Sequence, residues 1–164
     1  MFKNPDKPSK TYTPGEALPK IAAFCAYQER TQKEVADKLK SYGLDEDEAG
    51  EIIIRLGREK LLDEERYAQA YARGKHRTNG WGRRRIKMEM KAKGLSEYCI
   101  KSGLKELDGD EYYAKLKQLL EQRDAREKES HPMKRKLKLT AYLIQKGYES
   151  DLIQEALGEL AGEA

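Results

Sequence analysis

A pattern of apolar residues and a glycine occurs three times in this chain of 164 residues. In each copy, apolar residues stand eight and four positions before the glycine, as Val35 and Leu39 do before Gly43. The other two glycines are Gly94 and Gly147, so successive copies lie 51 and 53 residues apart. A fixed period of this size is typical of modular repeats, which favour an extended binding surface over an enclosed active site.

The spacing inside each copy predicts three helices, and hence an all-α fold with nine helices. Apolar residues recur at three- and four-residue intervals, and no sustained period-two alternation indicates strands. The second helix of each copy should end at the repeat glycine, because glycine adopts positive φ without a Cβ penalty. Pro132 is expected to begin a helix. The candidate N-caps are Thr31, with Glu34 completing a capping box, and Asp45, Asp63, Ser96 and Ser150.

The chain divides into a tail and three repeats. Residues 1–15 contain three prolines and several polar residues, which predicts a mobile N-terminal tail. The three-helix repeats are predicted over residues 16–60, 61–108 and 109–164. Charged and apolar residues each make up 38% of the chain, so each repeat has a thin core and should pack on its neighbours. Three repeats joined in this way would form an elongated, curved array.

The composition argues against several classes of protein. No run of about 18 apolar residues could span a membrane, and the N-terminus lacks the apolar segment of a signal peptide. Cys25 and Cys99 are the only cysteines, which fits buried thiols in a reducing cytoplasm better than a disulfide framework. His76 and His131 lack metal-ligand spacing, and there is no phosphate-binding loop. We therefore expect a non-enzymatic protein without a metal, a cofactor or a membrane partner.

Charge is unevenly distributed along the chain. Residues 73–93 carry nine cationic side chains and one acid, Glu89. Residues 44–66 carry nine acids against four bases, and residues 149–164 carry five acids and no base. Such segregation indicates an anionic partner for the middle of the molecule.

The strongest candidate site surrounds a glycine turn that contains the only tryptophan, Trp81. Guanidinium groups match phosphates and carboxylates, and the following helix offers free N–H groups to an anion. Three arginines at a helix N-terminus oppose the helix dipole, so a purely structural reason for them is less favourable. A second basic group begins the corresponding helix of the third repeat. The candidate partner-binding residues are Lys75, Arg77, Trp81, Arg83, Arg84, Arg85, Lys87, Lys91, Lys134, Arg135 and Lys138.

Each of these assignments has a simpler alternative. The basic run could be a solvated surface, as most charge runs are. Trp81 could stack on a base or anchor a partner, or it could wedge between the first and second helices of the second repeat. We expect replacement of Arg83, Arg84 and Arg85 by alanine to weaken partner binding without unfolding the protein.

Three segments of the chain resemble the RecX regulatory family. The first runs from Thr31-Gln32-Lys33-Glu34-Val35 to Gly43, and the second runs from Leu61 to Tyr71. The third is the clearest and runs from Gly80-Trp81-Gly82 through the arginines to Leu95. The resemblance covers about residues 16–160, nearly the whole chain. Its distinctive feature is the order and spacing of the repeats rather than any single motif.

The resemblance implies a regulator of DNA repair, recombination and the SOS response, and we expect the protein to be monomeric and cytoplasmic. Family members bind the recombinase RecA, consist of three tandem three-helix modules, and are thought to lie in the groove of the RecA–DNA filament. There they limit filament growth, ATP hydrolysis and strand exchange, with weak or filament-associated contact to single- or double-stranded DNA. Two alternatives stay open: a direct DNA-binding module related to helix-turn-helix proteins, or a protein scaffold whose charge only confers solubility.

Overall fold

The computed structural model describes residues 11–162, and the regular structure within that range is entirely helical. The helices form three groups of three, and a π-helical turn, Lys75–Asn79, continues the fourth helix. The prediction of an all-α fold with three three-helix repeats is confirmed, whereas the curvature of the array stays a prediction. The helices are α1 (Pro14–Tyr27), α2 (Gln32–Ser41), α3 (Glu46–Arg58), α4 (Glu64–Gly74), α5 (Arg83–Ala92), α6 (Glu97–Leu104), α7 (Gly109–Arg126), α8 (Pro132–Lys146) and α9 (Ser150–Leu160).

Side-chain caps begin several of these helices, as the sequence predicts. Each capping oxygen accepts a hydrogen bond from the backbone N–H three residues later, which satisfies one of the free donors of the first turn. At α3 the pair Asp45 and Glu48 forms a complete capping box, whereas at α2 only the Thr31 half of the box is formed. The predicted caps that are confirmed are Thr31, Asp45, Asp63 and Ser96.

The start of α9 differs from its prediction. Ser150 is already helical and Glu149 holds the N-cap position without a side-chain cap bond. The Glu149 carboxylate is instead bound to Arg83 of the second repeat and to Tyr112 of α7. A tertiary ion pair has therefore taken the place of a local cap. At α8, Pro132 is the first helical residue, as predicted.

The repeat glycines end or follow the second helices with positive φ. The φ angles are 87° at Gly43, 80° at Gly94 and 103° at Gly147. Residues with a Cβ are strained in this region, so the glycine of the repeat pattern is explained by backbone conformation.

The predicted N-terminal tail falls mainly on residues 1–10, which lie outside the described residues. Its last four residues need a correction, because α1 begins at Pro14 and is capped by Thr13. The backbone N–H of Tyr12 donates to the carbonyl of Tyr42 at 2.8 Å. Residues 12–15 therefore belong to the first repeat.

The buried residues form two separate cores. One core lies within the first repeat and the segment that leads into α4; it is centred on Ile21, Leu39 and Leu56 and includes Leu62. The other is shared by the second and third repeats and includes Ile86 and Leu116. Repeats 2 and 3 therefore pack as one body, while repeat 1 has a core of its own.

Polar contacts join the first repeat to the second. The Arg66 Nε atom lies 2.5 Å from a carboxylate oxygen of Glu29. The backbone N–H of Gln32 donates to Glu64 at 3.3 Å. These are half-exposed polar contacts rather than a continuous core, which makes this the weaker of the two junctions.

Cys25 is buried, as predicted, and burial raises the pKa of its thiol, whereas Cys99 is half-buried. Across residues 11–162, every helix is too short or too polar to cross a membrane.

Candidate partner-binding groove and the junction of repeats 2 and 3

The glycine turn before α5 packs against the end of α8. The backbone N–H of Gly82 donates to the carbonyl of Lys146 at 2.8 Å, and that of Arg84 donates to Gly147 at 3.0 Å. A Cβ atom on Gly82 would lie 2.4 Å from the Gly147 oxygen, and one on Gly147 would lie 2.4 Å from Cβ of Arg85. Both positions therefore require glycine, because the two backbones approach too closely for any side chain.

Arg83 links the second repeat to the third through an ion pair. Its Nη1 atom lies 2.8 Å from a carboxylate oxygen of Glu149, and its guanidinium lies 3.7 Å from the centre of the Tyr112 ring. The Tyr112 hydroxyl donates to Glu149 and accepts from the backbone N–H of Arg83. Burial, and then the hydrogen bond to Glu149, raise the pKa of Tyr112 above its usual value. This network joins α5, α7 and the start of α9.

Aromatic rings fill the space behind this ion pair. His76 stacks on Tyr112 with ring centres 5.2 Å apart, and its Nδ1 atom lies 2.9 Å from the carbonyl oxygen of Trp81. The buried hydroxyl of Tyr148 donates to the carbonyl of Gly80 at 3.0 Å. The π-helical turn is thereby fixed against the third repeat.

The surroundings of Trp81 indicate a role in holding the fold together. Its half-buried ring packs against the core shared by repeats 2 and 3. Two cations lie over the ring, with Arg85 at 4.3 Å and Lys75 at 5.1 Å from its centre. Cation–π contacts of this kind fix the ring and the two side chains together. They favour the structural interpretation of Trp81 over base stacking.

The arginines of the glycine turn therefore differ from one another. Arg83 and Arg85 are half-buried and bound within the chain, and Arg85 also donates to the Gln145 carbonyl at 3.4 Å. Arg84 and Arg77 are exposed. That the triple alanine variant weakens partner binding without unfolding the protein stays a prediction, but since Arg83 and Arg85 help to build the junction we expect that variant to be less stable than the wild type.

The second predicted basic group divides in the same way. Arg135 donates to the Asp124 carboxylate and to the carbonyls of Glu127 and Glu129, at 2.8 to 3.0 Å. Lys138 lies 3.5 Å from the Glu129 carboxylate. Arg135 therefore stabilises the α7–α8 linker, whereas the neighbouring Lys134 is exposed.

A groove between α5 and α6 brings together four lysines that the junction does not use and Arg83, which pairs with Glu149 in the junction. It has a volume of about 470 Å³, a floor formed by Ile100 and Leu104, and a single acid, Glu97, on its wall. Such an arrangement can hold a phosphate backbone or an acidic segment by charge. We call it the lysine groove, and its cationic residues are Arg83, Lys87, Lys91, Lys101 and Lys105.

The predicted residues Lys87 and Lys91 meet two lysines that sequence reasoning missed. Lys101 and Lys105 lie four residues apart, as Lys87 and Lys91 do, so each pair occupies one face of its helix. The four-residue spacing of Lys101 and Lys105 is visible in the sequence, but α6 lies outside the basic run of residues 73–93, so the sequence does not connect this pair with that run. Only the packing of α6 beside α5 brings the two pairs together.

The position of α6 is fixed from its other side by α4. Ser102 donates to the Glu65 carboxylate at 2.7 Å and accepts from the Gln69 side chain at 2.9 Å. The wall of the groove that carries Lys101 and Lys105 is therefore held in place by hydrogen bonds within the second repeat.

Comparisons with known proteins agree with this architecture. Models of the first, second and third three-helix domains of RecX match residues 21–56, 63–104 and 110–157. The crystal structure of RecX from Lactobacillus salivarius superimposes with a TM-score of 0.82 at 28% identity, over 90% of this chain and 96% of that one.

Curated relatives carry the name "Regulatory protein RecX". The one from Oceanobacillus iheyensis is 30% identical over 138 residues, which are 84% of this chain and 50% of the relative. The one from Mycobacterium sp. (strain KMS) is 32% identical over 139 residues, 82% of this chain and 76% of the relative. The chain thus spans about half the length of the first of these relatives. On the three domain matches and this identity, the chain belongs to the RecX family.

Proposed function

We propose that this protein regulates the recombinase RecA by binding the RecA–DNA filament and limiting its growth, ATP hydrolysis and strand exchange. Membership of a family of regulatory proteins supports this role, as does the three-repeat architecture. The observation that carries the proposal to particular residues is the lysine groove on the body formed by repeats 2 and 3.

The charges of the groove are available to a partner. Within residues 11–162, Lys87, Lys91, Lys101 and Lys105 take part in none of the ion pairs shorter than 4.0 Å. Bringing phosphates or carboxylates to these unpaired lysines releases counterions and favours binding. A RecA–DNA filament presents phosphates on its DNA, and acidic side chains on its protein surface would offer carboxylates.

The size of the repeats allows contact with more than one filament subunit. Helix α7 has 18 residues, which corresponds to about 27 Å at about 1.5 Å per residue. A protein that contacts neighbouring subunits shifts their assembly equilibrium only to the extent that it binds the assembled and the free subunits with different affinities. Stronger binding to an arrangement of the filament that adds subunits and hydrolyses ATP slowly would populate that arrangement and thereby slow growth and ATP hydrolysis.

Direct binding to free DNA is a second candidate, and the lysine groove also favours it. The two candidates differ in their dependence on salt and on RecA. A protein that makes 6–10 phosphate contacts should lose about 10³–10⁵-fold in DNA affinity between 50 and 200 mM salt. A filament regulator should bind bare DNA weakly.

The test is a titration of the purified protein into RecA, single-stranded DNA and ATP, with hydrolysis as the readout. A parallel DNA-binding assay omits RecA. The proposal predicts that hydrolysis falls at amounts well below one protein per RecA, together with weak binding to bare DNA. Unchanged hydrolysis with tight, salt-sensitive DNA binding would contradict it and establish the DNA-binding alternative.

A further inference from the structure

The outward face of α8 differs from the same face of α2 and α5. When the repeats are aligned on their glycines, the positions ten, six and three residues earlier are exposed in every copy. In the third repeat the residues at all three positions are apolar. The first two repeats carry cationic residues at the positions ten and three residues before the glycine. These positions hold Lys33, Asp37 and Lys40 on α2, Arg84, Met88 and Lys91 on α5, and Leu137, Ala141 and Ile144 on α8.

On α8 these residues continue into a longer exposed stripe. Met133, Leu137, Ala141 and Ile144 follow one another at intervals of four, four and three residues, which places them on one side of the helix. The exposed fractions of Met133, Leu137 and Ile144 are 65%, 64% and 51%. We call this set the α8 stripe.

The opposite side of α8 already supplies the core of the third repeat. Leu139 and Leu143 are buried there. The α8 stripe is therefore a second apolar face that the described part of the chain leaves in solvent. Contiguous exposed apolar residues with a polar border are characteristic of interaction sites.

Lysines border the stripe on both sides. Lys134 and Lys138 follow one edge of the helix, and Lys136 lies beyond the other edge. Lys138 is paired with Glu129, while Lys134 and Lys136 join no ion pair among residues 11–162. The complement of this surface is an apolar centre with an acidic border.

We propose that the α8 stripe docks onto a protein surface of the RecA filament that has an apolar centre and an acidic border. This inference rests on the proposed function and assigns the stripe to protein contact, whereas the lysine groove takes the anionic partner. Leu137 and Ile144 offer nothing to a phosphate, in contrast to Arg84 and Lys91 at the same positions of repeat 2. Self-association through this face would bring lysines of one copy against lysines of the other, which is unfavourable.

The repeat itself supplies the test variant. The double substitution L137R/I144K places on α8 the residues that repeat 2 carries at these positions. The matched control is Q118R/Q122K, which adds the same charge at exposed positions of α7. A single substitution, A141R, disrupts the middle of the stripe by a different change. All of these positions face solvent, and circular dichroism checks that the variants stay folded.

The readout is suppression of ATP hydrolysis by RecA on single-stranded DNA, with the affinity for a fluorescein-labelled oligonucleotide measured in parallel. L137R/I144K and A141R should each need at least about tenfold more protein than the wild type, while their DNA affinity is equal or higher. Q118R/Q122K should match the wild type in suppression.

Two results would overturn the inference and leave the proposed function standing. One is suppression by L137R/I144K and A141R at wild-type concentrations. The other is a light-scattering mass that shows a wild-type dimer lost in the variants, since the stripe would then be a contact between copies. A wild-type protein without effect on hydrolysis would instead refute the proposed function, and the stripe's assignment with it.

Discussion

Single residues decide how the second and third repeats meet. The backbones of Gly82 and Gly147 are in close contact, and a methyl group on Gly82 would overlap the Gly147 carbonyl. Gly82→Ala should therefore lower the unfolding free energy by about 1–3 kcal/mol, the usual cost of overpacking. Gly74→Ala is the control, because its Cβ meets nothing and alanine favours the helix by up to about 1 kcal/mol. Urea denaturation of both variants measures the difference. Equal stability of the two would contradict the close approach.

Arg83 and Arg84 are neighbours with different roles. Arg83→Ala removes the guanidinium that pairs with Glu149 and lies over the Tyr112 ring, so we expect a loss of about 1–2 kcal/mol in unfolding free energy. Arg84→Ala removes an exposed side chain and should stay within about 0.5 kcal/mol of the wild type. Thermal melts followed by circular dichroism separate the two cases. A stable Arg83→Ala variant would show that the ion pair contributes little to the junction.

Tyr112 makes the junction sensitive to alkali. The pKa of Tyr112 is raised above 10 in the folded state, which means that folding favours the protonated hydroxyl. The stability that this hydroxyl contributes is therefore fully present below pH about 10 and is lost as the pH rises further. The unfolding free energy should fall above pH about 10, by up to about 1.4 kcal/mol per pH unit from this tyrosine. Tyr112→Phe should be less stable at neutral pH but should show a shallower decline. Parallel slopes for the two proteins, in urea unfolding at several pH values, would rule out this contribution.

At the scale of helices and linkers, the α7–α8 connection depends on Arg135. Its donors bind one carboxylate and two carbonyls of the linker, an arrangement that the rounder ammonium of lysine cannot reproduce. Arg135→Lys should therefore lower the melting temperature by several degrees, since about 1 kcal/mol corresponds to about 2–4 °C in a chain of this size. Lys134→Ala, at an exposed neighbour, is the control. An unchanged melting temperature for Arg135→Lys would show that the linker does not need the guanidinium.

Helix ends were predictable because their signals are local. Asp45, Asp63 and Ser96 cap helices through their own backbone neighbourhood, and the repeat glycines end helices through positive φ. The capping position of α9 was not predictable, because Glu149 binds an arginine 66 residues away. A local rule fails where a tertiary contact uses the same side chain.

The candidate site was predictable only in part, for the same reason. The run of cationic residues identifies the basic region, but it does not distinguish the arginines that are bound within the chain from those that are exposed. Burial distinguishes Arg83 from Arg84, and burial depends on the docking of the third repeat. Lys101 and Lys105 join the site because α6 packs beside α5. This packing cannot be deduced from the spacing of residues along the chain.

At the scale of the whole molecule, two cores predict two cooperative units. Repeats 2 and 3 share a core, whereas repeat 1 is joined to them by polar contacts such as Glu29–Arg66. Native-state hydrogen exchange should therefore show one protection class for the amides of α1–α3 and another for α4–α9. Arg66→Ala should change the first class little, because the core of repeat 1 is its own. A single class that spans all nine helices would indicate stronger coupling than this structure implies.

The proposed RecA-regulating surface of the whole molecule is the lysine groove. The most direct test is the concentration of protein that halves ATP hydrolysis by RecA on single-stranded DNA, compared between wild type and K101E/K105E. The control is K40E/K128E, which makes the same change of charge at exposed positions outside the groove. We predict that K101E/K105E needs at least about tenfold more protein and that the control matches the wild type. Wild-type potency in K101E/K105E would contradict the account.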